Sequence, residues 1–173
     1  MKIVGISGPS GSGKTTLIRR LIPELKRRKR SVAVVKHCPH GFDLEPEGKD
    51  TWHFARAGAA GVAMVSNERL AVAYRGRPGR NWGDLARRFF PDADIVLVEG
   101  GRNLVGIRTI EIVQPRKLVP PRGRAARRVA VLVPARSGPV RVTRADVQAL
   151  ALFIETVLPD EDEAAPIRPR RRS

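Results

Sequence analysis

The stretch Lys2-Ile3-Val4-Gly5-Ile6-Ser7-Gly8-Pro9-Ser10-Gly11-Ser12-Gly13-Lys14-Thr15-Thr16 reads as a short apolar strand running into a glycine-rich loop. Leu17, Ile18, Leu21, Ile22 and Leu25 follow at helical spacing, so the order is strand, loop, amphipathic helix. Gly8-x4-Gly13-Lys14-Thr15 satisfies the P-loop pattern in the context its mechanism demands. Glycines let successive backbone N–H groups close on phosphate oxygens, and the helix N-terminus adds its positive dipole end. Lys14 then reaches the β- and γ-phosphates, and Thr15 offers its hydroxyl to Mg²⁺. The expected phosphate cradle is Gly8, Pro9, Ser10, Gly11, Ser12, Gly13, Lys14, Thr15 and Thr16.

Working outward, Lys26 to Arg30 puts cations at the C-terminal end of that helix, and Val32 to Val35 reads as a buried strand, completing a βαβ unit. The Pro- and Gly-rich segment Cys38 to Lys49 breaks every periodicity and reads as a long functional loop. A helix capped by Asp50 or Thr51 runs through Arg56 to Gly58. Strands are expected over Gly61 to Ser66 and Leu70 to Tyr74 around a turn at Ser66 to Arg69. Asn81 to Phe90 reads as a helix, Asp94 to Glu99 as the most apolar strand, and Arg108 to Val113 as an edge-like strand. A basic linker, Gln114 to Arg128, precedes a further strand, Val129 to Val133. Thr143 caps a last helix reaching Leu158, and Pro159 to Ser173 reads as a disordered charged tail. The alternation predicts an α/β fold: a three-layer P-loop NTPase domain over residues 1–158 with a mostly parallel central sheet flanked by helices.

A P-loop needs an acid near its metal, at the end of a neighbouring apolar strand. Ile95-Val96-Leu97-Val98-Glu99-Gly100 supplies it, because strand C-terminal ends line the crevice where α/β sheets bind ligands. Lys14 and Glu99 are therefore the candidate catalytic residues, with Thr15 and Glu99 on the metal. Asp94 starts the same strand and reads as a solvated residue at the opposite edge. Lys36, His37 and His40, with Asp43, Glu45, Gly48, Lys49 and Asp50, face the same crevice and can supply metal ligands, a base or contacts to a second substrate. His37, His40 and Cys38 fall short of a closed four-ligand zinc set. Asp50 is both a helix cap and a candidate outer Mg²⁺ ligand. Trp52 and Phe54 read as packing residues and Arg56 as a solvated helix residue.

With 33 Lys and Arg against 17 Asp and Glu, the 173-residue chain carries a formal charge of +16. Aromatics make up only 5%, whereas single-strand binders interleave basic residues with stacking rings, so nucleic acid is not the expected partner. One cysteine forms no internal disulfide. No export signal or membrane span is read, so a cytoplasmic setting is expected.

Together these residues resemble one family, the GTP-binding B protein of molybdopterin-guanine dinucleotide biosynthesis. The resemblance is carried by Val4 to Leu17, Val35-Lys36-His37 with His40 and Phe42, Gly48-Lys49-Asp50-Thr51, Ala57-Gly58-Ala59 and Val96 to Gly100. Glu45 stands where the family usually has Asp, and Thr51 where it has Ser. The resemblance implies binding of GTP and Mg²⁺, slow hydrolysis, a homodimer, and assistance to a guanylyltransferase that joins GMP to molybdopterin. No guanine-reading carboxylate follows a late strand, since Val133-Pro134-Ala135-Arg136 offers none, so base identity comes from the resemblance alone. Two other readings are a P-loop small-molecule kinase using ATP, which needs an arginine-bearing lid for which Arg116 to Arg128 could be mistaken, and a basic nucleic-acid-associated module.

Overall fold

The protein is described by a computed structural model over residues 1–42, 47–76, 81–100, 104, 106–112 and 142–160, with backbone alone at 128–132. Asp43, Glu45, the basic segment 113–127, the stretch Val133 to Arg136 and residues 161–173 lie outside the described residues. The chain divides into two compact units, Met1–His37 with Arg80–Ser173, and Cys38–Gly79.

The larger unit holds β1 (Lys2–Ser7), α1 (Lys14–Arg27), β2 (Val32–Lys36), α3 (Trp82–Phe89), β5 (Ile95–Glu99), β6 (Arg108–Ile112), β7 (Arg128–Leu132) and α4 (Arg144–Thr156). Its strands form one five-stranded sheet in the order β2-β5-β1-β6-β7, with every pairing parallel. Parallel strands joined by crossover helices must be covered on both faces, and alternation along the central strands shows how. Val4 and Ile6 of β1 and Ile95 and Leu97 of β5 pack with Leu17, Leu21 and Leu25 of α1 and Val147, Ala151 and Ile154 of α4. Ile3, Val96 and Val98 point the other way, against Ala86 of α3 and Leu104 and Ile107. The expected three-layer α/β architecture is therefore present.

Two strands differ from the expectation. β6 is internal, paired to β1 and β7, with Ile110 and Ile112 fully buried. Its alternating polar residues suggest an edge, but Thr109 is buried with its hydroxyl donating to the Ile107 carbonyl at 3.3 Å, so its polarity is satisfied within the sheet. β2, read as buried, is the margin of the sheet and is only half-covered, with Val34 exposed.

The opposite, N-terminal edge of the sheet is held by polar ties. Asp94 lies just ahead of β5 and accepts from the Ser31 amide at 2.8 Å and the Ser31 hydroxyl at 2.9 Å, joining the starts of β2 and β5. The backbone bond from Ser31, then its hydroxyl, holds the Asp94 carboxyl below the ordinary carboxylate range. Asp160, in the segment read as a tail, pairs with the Met1 amine at 2.7 Å and Lys2 at 3.8 Å.

Thr143 caps α4 as expected. Its hydroxyl accepts from the Asp146 amide at 3.1 Å while the Asp146 carboxylate accepts from the Thr143 amide at 2.7 Å, a reciprocal capping box that satisfies two otherwise orphaned donors. The Thr143 side-chain bond, then its backbone bond, lowers the Asp146 pKa. A lowered acid stabilises the fold above its unfolded value, and that stability disappears as pH falls through the folded value. Thr143→Ala is expected to cost about 1 kcal/mol near neutral pH, read as a shift in urea midpoint, with the difference shrinking once Asp146 is protonated.

The smaller unit holds α2 (Asp50–Arg56) and the antiparallel hairpin of β3 (Gly61–Val65) and β4 (Leu70–Tyr74). The N-cap of α2 is Lys49, without a side-chain cap bond. Asp50 therefore sits in the first turn, where its charge suits the helix dipole, and neither Asp50 nor Thr51 caps. The Arg56 guanidinium lies 5.1 Å from the centre of the Trp52 ring, so this arginine stacks on its own helix, and Phe54 is exposed. The pairs Ala63↔Val72 and Val65↔Leu70 place Ala63, Val65, Leu70, Val72 and Tyr74 on one face. Of these, Val65, Leu70 and Tyr74 are 78%, 68% and 71% exposed, an apolar face too open for ordinary surface.

Candidate functional site

The P-loop occupies the turn between β1 and α1, where the chain must reverse from a strand fully buried from Ile3 to Ser7 into a helix. Gly8, Gly11 and Gly13 have φ of 149°, 71° and 97°, in the region only glycine enters at little cost. Gly8 has a second reason to be glycine. A β-carbon there would lie 2.6 Å from the Ile112 carbonyl oxygen and 2.8 Å from the Ser12 hydroxyl.

Lys14 folds back over the loop, its ammonium donating to the Pro9 carbonyl at 2.7 Å and the Gly8 carbonyl at 3.0 Å. Thr15, one residue on, donates its hydroxyl to Oε1 of Glu99 at 2.7 Å. These residues are 84 positions apart, and the parallel pairing of β1 with β5 brings them together: Ile6 stands opposite Glu99, and the Gly100 amide donates to the Ile6 carbonyl at 3.1 Å. The sheet thus converges two oxygen groups that the sequence assigns to one metal.

Beyond Glu99, β2 contributes Lys36, its register partner, and His37, whose amide donates to the Glu99 carbonyl at 2.8 Å. The His37 ring meets Trp82 edge-on, with centroids 5.2 Å apart and planes at 74°. Trp82 contacts the site's wall with no local sequence signal, because the pairing joins β2 to the first residue of α3. Gly100 is required by packing: a β-carbon there would lie 2.6 Å from Leu104 Cδ2.

The cavity enclosed measures about 580 Å³, the size of a small-molecule site. Gly8, Ser10, Gly11, Ser12, Gly13, Lys14, Thr15, Thr16, Lys36, His37 and Glu99 all line it, so most of the residues singled out from the sequence come together. Pro9 contributes its carbonyl to Lys14. His40 and Asp50 belong to the smaller unit. A larger cavity, about 690 Å³, opens at the opposite end of the sheet beside Lys2, Asp94, Glu155 and Asp160. Size does not decide between them: its acids are already engaged, Glu155 by Arg28 and Arg30 and Asp160 by the N-terminus.

The chemistry of the P-loop cavity fits a polyphosphate. Ser12 is 2% exposed, and its hydroxyl has no hydrogen-bond partner among the described residues, an orphan that a buried polar group rarely remains. A hydroxyl and a carboxylate oxygen are the ligand types of a hard divalent cation. Among the described residues no group of three or more His, Cys, Asp or Glu converges as a metal cage, so His37, Cys38 and His40 form no such cluster. A cation held here takes its other ligands from phosphate and water.

Compared with known protein families, the chain matches the one described as molybdopterin guanine dinucleotide synthesis protein B, over residues 3–133. The chain belongs to this family. It is 42% identical over 99 residues to the molybdopterin-guanine dinucleotide biosynthesis adapter protein of Haemophilus influenzae, covering 57% of this chain and 56% of that one. With the protein of the same name from Escherichia coli it shares 37% identity over 95 residues, covering 53% and 54%. The chain thus spans about half the length of these relatives. A crystal structure of a molybdopterin-guanine biosynthesis protein B superposes with a TM-score of 0.68 at 32% identity, over 90% of this chain and 99% of that one. The family match spans β1 to β7, and so includes the P-loop and Glu99. No helix among the described residues is long and apolar enough to cross a membrane.

Proposed function

We propose that this protein binds GTP with Mg²⁺, hydrolyses it slowly, and acts as an adapter for a guanylyltransferase that joins GMP to molybdopterin to form molybdopterin guanine dinucleotide. The observation that carries this reading is the Thr15–Glu99 contact at the mouth of the P-loop, in a chain of this family. Lys14 and the loop amides hold phosphate oxygens, and Thr15 and Glu99 hold the cation. Lys36 and His37 face the nucleotide from the end of β2. Mg²⁺ supplies charge neutralisation on the β- and γ-phosphates.

Guanine is favoured over adenine by kinship, since the relatives are named for guanine dinucleotide synthesis. The net charge of +16 suits a phosphate-bearing pterin. The exposed apolar face of the β3–β4 hairpin supports a homodimer, because such a face is stable in water when covered. Residues 1–158 act as the nucleotide-binding domain, 159–173 as a charged tail, and the setting is cytoplasmic.

The test is competition against a fluorescent guanine nucleotide with Mg²⁺ present, followed by addition of the protein to purified guanylyltransferase and molybdopterin. GTP is expected to displace the probe at least ~10-fold more effectively than ATP, about 1.4 kcal/mol of selectivity, and the protein is expected to raise the yield of dinucleotide. ATP preference with phosphorylation of a small acceptor overturns this reading in favour of a kinase.

A further inference from the structure

We infer that Lys36 is the cation this chain itself supplies to the γ-phosphoryl group during hydrolysis, in place of an arginine from another protein. The inference rests on the GTPase reading and goes beyond nucleotide binding by giving Lys36 a role in the reaction.

Three observations place it. First, Lys36 ends β2 and stands opposite Glu99 in a parallel register, where neighbouring strands lie about 4.8 Å apart. Alternation along β2 puts Val32 against the α1 side of the sheet, and Lys36, four residues on, shares that side. Ile95 and Leu97 place Glu99 there too. Second, Lys36 lines the P-loop cavity with Lys14 and Thr15. Third, its ammonium is unengaged among the described residues. Glu99, the carboxylate beside it, is bonded to Thr15 instead, and no ion pair joins Lys36 to it. Among the described residues the charge of Lys36 is therefore free, and the residue lines the cavity. The cavity's lining therefore carries two ammonium groups against one carboxylate, an excess suited to an anion.

Hydrolysis explains the second cation. A water oxygen bonds to the γ-phosphorus while the bond from that phosphorus to the β,γ-bridging oxygen breaks. The bridging oxygen keeps the electron pair, and the water's protons pass to the phosphate product and solvent. Negative charge grows on the bridging and γ-oxygens, and positive groups fixed beside them lower the barrier. Lys14 serves the β/γ region from the loop. Lys36 approaches from the next strand but one and is fixed in direction by the ladder of β2 on β5.

The experiment compares wild type, Lys14→Ala, Lys36→Ala and Lys36→Arg. Each is assayed for binding of a non-hydrolysable GTP analogue, single-turnover hydrolysis, and trapping of GDP with aluminium fluoride as a mimic of the transferring phosphoryl group. Lys36→Ala is expected to slow hydrolysis roughly 10- to 100-fold, below the ~10³ or more of an arginine finger, and to abolish trapping. Its affinity for the analogue should fall by several-fold less than the rate does, and Lys36→Arg should restore trapping and most of the rate. An exposed, unpaired strand-end residue leaves the fold intact on substitution, which a circular dichroism melt checks. Hydrolysis and trapping at wild-type levels in Lys36→Ala, or a loss confined to analogue binding, each overturns the inference alone; wild type that binds the analogue but neither turns over nor traps GDP overturns the hydrolysis in the GTPase reading and the inference with it. Analogue binding that is absent, or unaffected by Lys14→Ala, overturns the GTPase reading itself.

Discussion

Replacing Lys14 with alanine is expected to weaken GTP binding by about 100-fold or more while leaving the fold intact. The ammonium rests on the Gly8 and Pro9 carbonyls at 3.0 and 2.7 Å, a self-made substitute for phosphate oxygens. When nucleotide enters, those two bonds to neutral acceptors are exchanged for bonds to charged ones. A hydrogen bond to a charged group contributes about 1.5–3 kcal/mol, against about 1 kcal/mol for an ordinary one. Removing two such bonds to phosphate costs about 3 kcal/mol, or two decades in affinity. The stability effect is smaller, about 2 kcal/mol at most, because only the two resting bonds disappear. Titration calorimetry with Mg²⁺ and GTP, beside a urea unfolding curve, separates the two quantities. Equal affinity in wild type and variant would remove nucleotide from the account of this protein.

Gly8→Ala is expected to act in the opposite proportion, harming the fold as much as the site. Its β-carbon would meet the Ile112 backbone oxygen at 2.6 Å and the Ser12 hydroxyl at 2.8 Å, on a φ of 149°. The oxygen belongs to β6, an internal strand that cannot retreat without parting from β1 or β7. Backbone strain of about 1–3 kcal/mol and overpacking of similar size give roughly 2–6 kcal/mol of destabilisation and a loop whose amides no longer converge. Gly11→Ala is the internal control. Its φ is 71°, but nothing lies within 4 Å of the added carbon, so about 1 kcal/mol is expected. Unfolding midpoints that fall equally in the two variants would show that the crowding at Gly8 relaxes freely.

Much of this site can be read along the chain because it is built from local signals. Gly8 to Thr16 announces a phosphate loop by glycine spacing, and Ile95 to Glu99 announces a strand ending in an acid. That Thr15 and Glu99 come together can be expected without any geometry, since both stand where their elements open on the same edge of a parallel sheet, and the two are hydrogen-bonded. What stays hidden is pairing. Whether Arg108 to Ile112 is an edge or an interior strand depends on β7 lying beyond it, and no residue within β6 reports that neighbour. Trp82 meets His37 for the same reason, through a contact 45 residues away in the chain. The cap of α2 falls one residue earlier than its residue types suggest: Asp50 is a good capping type, but Lys49 takes the extended backbone and the carboxylate enters the first turn. The separation of Cys38–Gly79 into its own compact unit is likewise a property of which strands pair, not of composition.

The strand order has a bearing on how the molecule is made. β1 is synthesised first, yet its partners are Ile95 to Glu99 and Arg108 to Glu111, some 90 to 100 residues later. At the usual ~5–20 residues per second, this strand waits roughly 5 to 20 s on the ribosome without either of its ladder partners. Pairings this distant in sequence also slow folding once the chain is free. A nascent chain halted before Glu99 has the entire glycine loop but neither of the strands that flank β1, so the cavity beside that loop takes shape late, when β5 and β6 close on either side of β1.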